Sequence, residues 1–182
     1  MLSVTIIFCL FAGSFAVFIE PGPCPHINTV ETDLSRLAGR WYQYASTENG
    51  YVSGLKCVMH DLFPLENNVA IAISTAELEK TGDHSIIESN ITISEDYVIR
   101  TFTSGRIIGF RSFTFQNFEV VYGSHFVALG CENFGSNHVK AVTIFTYDKF
   151  PSENLIEEAR QLLADYGISV SDFKKFDHEN CN

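Results

Sequence analysis

Leu37-Ala38-Gly39-Arg40-Trp41-Tyr42-Gln43-Tyr44-Ala45 carries the single tryptophan of the chain, set two residues after a glycine. Gly39 permits a close approach of the backbone, and the aromatic residues that follow read as a first β-strand. A ring as large as indole at that point is suited to plug one end of a β-barrel. It is equally suited to the core beside any first strand, so the stretch has to be read with its surroundings.

Moving outward, Pro21-Gly22-Pro23-Cys24-Pro25 is an extended, turn-rich approach to that strand. Downstream, short runs rich in β-branched and aromatic residues recur over 41–46, 57–65, 69–75, 85–94, 97–103, 106–115, 118–122, 126–131 and 139–147. Turn signals separate most of them: Glu66-Asn67-Asn68, Thr81-Gly82-Asp83, Ser104-Gly105, Gly123-Ser124 and residues 133–137. Such spacing reads as an antiparallel sandwich or barrel, with residues 106–122 forming one bent strand or two. The pattern then changes. Leu155, Ile156, Ala159, Leu162, Leu163 and Tyr166 fall on one face of an α-helix. Ser152 suits its N-cap, Glu153 its first turn and Gly167 its C-terminal stop. Residues 168–173 read as a short final strand before a polar tail.

Composition narrows the function. Apolar residues make up 46% of the 182 and charged ones 19%, which is enough to build a core. Twelve Lys and Arg against 22 Asp and Glu give a net charge of −10. That surface repels phosphate backbones and anionic lipid, so nucleic-acid binding and a basic membrane anchor are not expected. Residues 4–12 are almost unbroken apolar sequence, and Ser14-Phe15-Ala16 puts small residues where a signal peptidase reads. We expect residues 1–16 to be a signal peptide and 17–182 one secreted domain without stable membrane insertion, since no run approaches the ~20 apolar residues of a spanning helix. Cys9 leaves with the signal. Cys24, Cys57, Cys131 and Cys181 remain, an even number that points to disulfides with three pairings open. The absence of any CxxC argues against a zinc site.

Gly39 and Trp41, opening the first strand of a secreted chain with one late helix and a cysteine-bearing tail, resemble the first signature of the lipocalins. That resemblance implies an all-β fold: an eight-stranded antiparallel up-and-down β-barrel with one C-terminal α-helix packed on its outside. Residues 41–45, then Thr47-Glu48-Asn49 and Lys56-Cys57-Val58, are most similar to the arthropod pigment carriers, the crustacyanin subunits. Bilin-binding proteins and apolipoprotein D share the cysteine layout, which implies Cys24–Cys131 and Cys57–Cys181 pairs. The chain also departs from the family. Its usual Thr-Asp-Tyr is here Val120-Val121-Tyr122, and Thr146 stands where an Arg packs across the tryptophan, so the barrel floor has to close by other means.

Such a barrel either fills itself or encloses one small molecule. Strand parity from an inward Trp41 sends Gln43 and Ala45 inward. An outward Cys57 sends Val58, His60 and Leu62 inward, and an outward Cys131 does the same for Phe126, Ala128 and Gly130. Phase with Thr146 adds Val142 and Ile144. This mostly apolar set suits a small hydrophobic molecule, with a carotenoid or biliverdin implied by the resemblance and no cofactor required; His60 and Gln43 would meet its polar end. The dense phenylalanines between Phe102 and Phe126 suit stacking on such a ligand, core packing or a homo- or hetero-dimer surface. Residues 47–56, with Gly50, Tyr51, Ser53 and Gly54, read as a lid or a plain hairpin connection. No HExxH, Gly-x-Ser-x-Gly or phosphate loop appears, so an enzyme is not expected. Asn90-Ile91-Thr92 is a glycosylation sequon. The rival to a carrier is a packed barrel acting through its surface.

Overall fold

The computed structural model describes residues 19–47, 53–107, 110–171 and 173–181. Its strands are β1 (Ile19–Pro21), β2 (Gly39–Thr47), β3 (Leu55–Pro64), β4 (Val69–Leu78), β5 (His84–Ile93), β6 (Ile99–Ile107), β7 (Phe110–Val121), β8 (His125–Phe134), β9 (Asn137–Thr146) and β10 (Phe173–Lys175). Each of β2 to β9 pairs antiparallel with the next, and β9 returns to β2. The eight strands therefore close, which removes the exposed edges of an open sheet. β1 adds to β9 and β10 to β2 as short outer extensions. The eight-stranded antiparallel barrel with a late helix is thus the architecture of the chain.

Local chemistry fixes the corners. Asn67 and Asn68 both sit at positive φ, 59° and 57°, a conformation that asparagine tolerates and that fits a tight hairpin between twisted strands. Helix α1 (Glu153–Asp165) begins where Ser152 accepts a hydrogen bond from the Leu155 amide at 3.3 Å and stops at Gly167, whose φ of 72° suits glycine. Its buried face of Ile156, Ala159 and Leu163 packs on Tyr44, Ala45, Val127, Val142 and Ile144 of the barrel exterior.

Two boundaries differ from the sequence pattern. Ser104-Gly105 does not turn the chain but lies inside β6, where the β6–β7 register shifts between Phe102 and Ile107. Most of residues 106–122 form the single strand β7, bent by a bulge between Asn117 and Glu119. The final strand is Phe173–Lys175 rather than 168–173. Beyond it, Phe176 donates its amide to Tyr44 O at 2.9 Å and Asp177 O accepts from Cys57 N at 2.8 Å. The tail is thereby wedged between β2 and β3 where they separate. Disulfides join Cys24 to Cys131 and Cys57 to Cys181, with Cα atoms 6.0 and 5.5 Å apart. Each links residues more than a hundred positions apart, so each restricts the unfolded chain strongly.

Candidate ligand cavity

The floor of the barrel is built around Trp41, which is fully buried. Its indole N–H donates to Leu37 O at 2.8 Å, tying it to the 3-10 turn Leu34–Leu37 that crosses the barrel end. Phe126 and Tyr147 meet the ring edge-on at 4.9 and 5.5 Å. Tyr147 lies against Gly39 as well, within 4 Å of where a Cβ would be. Nearby, the Arg36 guanidinium sits 3.8 Å over the Tyr122 ring, and Tyr122 Oη accepts from the Asp33 amide at 2.8 Å. Aromatic edges and this cation–π contact therefore close the floor.

Above the floor the barrel encloses about 180 Å³. Ala72, Ser74, Ser89 and Thr101 line one wall with small and hydroxyl-bearing groups, and Phe113, Phe115, Phe126 and Phe145 line the other. Phe126 and Phe145 stack at 4.4 Å. Gly130 faces Phe115 so closely that a Cβ there would lie 2.8 Å from the ring. Among the described residues, no charged side chain lines the cavity.

His60 supplies a polar post. Gln43 presents its amide oxygen to Nε2 at 3.2 Å, so Nε2 carries the proton and Nδ1 accepts from Ser74 Oγ at 2.8 Å. Desolvation pushes the imidazole down to about 4, outweighing the opposing pull of Asp61. The ring is neutral at physiological pH, and both its nitrogens already have partners.

Of the residues placed inside by parity, His60, Leu62, Phe126 and Ala128 line the cavity, and Gln43 reaches it through His60. Three others point the opposite way. Ala45 lies outside under α1, because a register shift between Gln43 and Ala45 inverts the alternation on β2. Val142 and Ile144 also pack outward under α1; the inward residue of that strand is Phe145, since Thr146 turns its hydroxyl to Asp148 O at 2.8 Å. Val58 sits in the bulge between Lys56 and Met59, covered by Phe176, and does not line the cavity. Asn90 is exposed on the outer face of β5. Residues 1–16 and half of the 47–56 segment (positions 48–52) lie outside the described residues.

Pattern reading missed Leu34 and Leu37 on the crossing turn, and Asn117 on β7. The signal for Asn117 was present: Phe113, Phe115 and Asn117 alternate, so one polar residue continues an apolar inward row.

No family model matches the chain, and no curated protein matches it by sequence. Its fold, however, is found in many solved structures. Insecticyanin from the tobacco hornworm Manduca sexta superposes with TM-score 0.72 at 20% identity, covering 90% of this chain and 92% of that one. Lobster apocrustacyanin A1 gives 0.68 at 16%, covering 87% and 90%. A biogenic amine-binding protein gives 0.68 at 12%, covering 84% and 86%. With its closed eight-stranded barrel, crossing turn and external helix, the chain has the lipocalin fold.

Proposed function

We propose that this protein is a secreted carrier that holds a small, uncharged hydrophobic molecule in its barrel. The observation that carries the reading is the cavity itself: a largely apolar space with no charged side chain among its described lining residues. Secretion is supported by the apolar N-terminal run and by two long-range disulfides. The same route makes Asn90 a glycan site, since Asn90 and Thr92 share the exposed face of β5 while Ile91 points inward; a mass loss on peptide-N-glycosidase treatment checks it.

The size of the cavity bears on the ligand. Drug-sized ligands occupy pockets of ~300–1,000 Å³, whereas a ~150 Å³ apolar cavity holds a single benzene ring. The 180 Å³ here matches the smaller scale. A carotenoid or biliverdin, implied by the resemblance, is the second reading. The phenylalanine wall favours it, but the barrel would have to widen, and the carboxylates of biliverdin would find no cation among the described lining residues. Protein secreted from its source, examined by native mass spectrometry and absorption spectroscopy, separates these readings. A colourless protein with a small non-covalent adduct fits the first, visible absorption fits the second, and a bare mass with no uptake of small apolar probes fits the packed-barrel rival.

A further inference from the structure

One atom of the cavity lining lacks the partner that burial demands. Asn117 is 1% exposed and lines the cavity, yet its Oδ1 accepts no hydrogen bond from any described residue. Buried polar groups are nearly always satisfied, so an exception asks for a physical reason.

The surroundings fix which way the amide faces. Thr32, also buried, gives its one hydroxyl proton to Val30 O at 3.1 Å. Its oxygen can therefore only accept toward Asn117, and Asn117 Nδ2 donates to it at 3.0 Å. Exchanging the amide atoms would set two acceptors against each other. The backbone is held as well, since Val30 N donates to Asn117 O at 3.0 Å. The Oδ1 is thus a fixed acceptor in a lining that, His60 apart, is otherwise apolar or hydroxylic. The His60 post differs, because both ring nitrogens are already engaged.

We propose that Asn117 Oδ1 anchors the ligand by accepting a hydrogen bond, and that the ligand is a compact uncharged aromatic molecule bearing a hydroxyl or N–H. The inference rests on the carrier reading above and adds the polarity of the ligand's polar end. A donor aimed at Oδ1 satisfies the buried oxygen, while the ring lies against Phe113, Phe115 and Phe126. A cationic amine is disfavoured because no carboxylate lines the space among the described residues.

The test uses p-cresol and toluene, which differ by the hydroxyl alone, titrated calorimetrically into the full mature protein. A merely apolar cavity prefers toluene, because burying a phenol strips its hydroxyl of water and returns nothing. The anchor predicts at least tenfold tighter binding of p-cresol, with the preference reversed in Asn117→Leu. Should that variant not fold, nitrogen NMR of the wild-type Asn117 side-chain amide decides: p-cresol moves the Nδ2 signal and toluene does not. Toluene binding as well as or better than p-cresol, an unmoved amide, or a preference that survives Asn117→Leu each overturns the anchor and leaves the cavity standing. Failure of both probes to bind overturns the anchor and the carrier reading together.

Discussion

The two walls of the barrel are built in opposite senses. On the β4–β6 side the outer face is bare, with Ile86 71% and Phe102 46% exposed, while the inner face carries Ala72, Ser74, Ser89 and Thr101. On the β7–β9 side the inner face is aromatic and the outer face, Val127, Val142 and Ile144, is buried beneath α1. One wall therefore has a single covered face and the other has two. Space for a ligand comes from the first wall's small residues, and rigidity from the second wall's double packing.

The floor that both walls share should show the largest effect. Trp41→Ala removes a fully buried ring that holds the crossing turn, and truncations of this kind cost ~3–5 kcal/mol. Urea denaturation reads the loss; an unchanged midpoint would mean that the floor does not depend on the indole.

The contrast between the walls is sharpened by a pair of variants. Ile144→Ala, 1% exposed beneath the helix, should lose ~2–5 kcal/mol, whereas Ile86→Ala on the bare wall should stay within about 0.5 kcal/mol. Equal losses would show that the outer faces are not packed as differently as described. Ligand affinity should be nearly unchanged in both, because neither side chain lines the cavity.

These pairs also show what could be read from sequence. Gly39 and Trp41, the turn asparagines and the helix caps act through local chemistry, so the barrel, its helix and most strands were legible. Facing was legible where an outward cysteine set the phase, as Cys131 did for Phe126 and Ala128 and Cys57 for His60 and Leu62. Val142 and Ile144 lie on a strand apolar on both faces, so alternation cannot tell inside from outside, and the phase borrowed from Thr146 inverted it. Ala45 inverted for another reason: a bulge inserts one residue and flips all that follow. Asn117 stayed hidden because its importance lies in an orphaned oxygen, and Thr32, which orients it, is 85 residues away in sequence.

A smaller effect follows from His60, on the boundary between the walls. Its imidazole lies near 4 when folded against an ordinary 6.5. The unfolded chain therefore binds the extra proton between those values, and stability is full above pH 6.5 and falls as pH drops toward 4. The loss should reach about 3 kcal/mol. His178, also lowered by desolvation, acts in the same direction. Denaturation curves at pH 7 and pH 4 should converge in His60→Gln relative to the parent; an identical pH dependence in both proteins would place His60 in water.

The central claim is that the small residues of the bare wall hold space for a ligand. Ala72→Phe tests it by filling that space from β4, read by calorimetric titration of p-cresol with circular dichroism confirming the fold. The account predicts at least a hundredfold loss of affinity in a folded protein. Undiminished binding in folded Ala72→Phe would place the ligand elsewhere and contradict it.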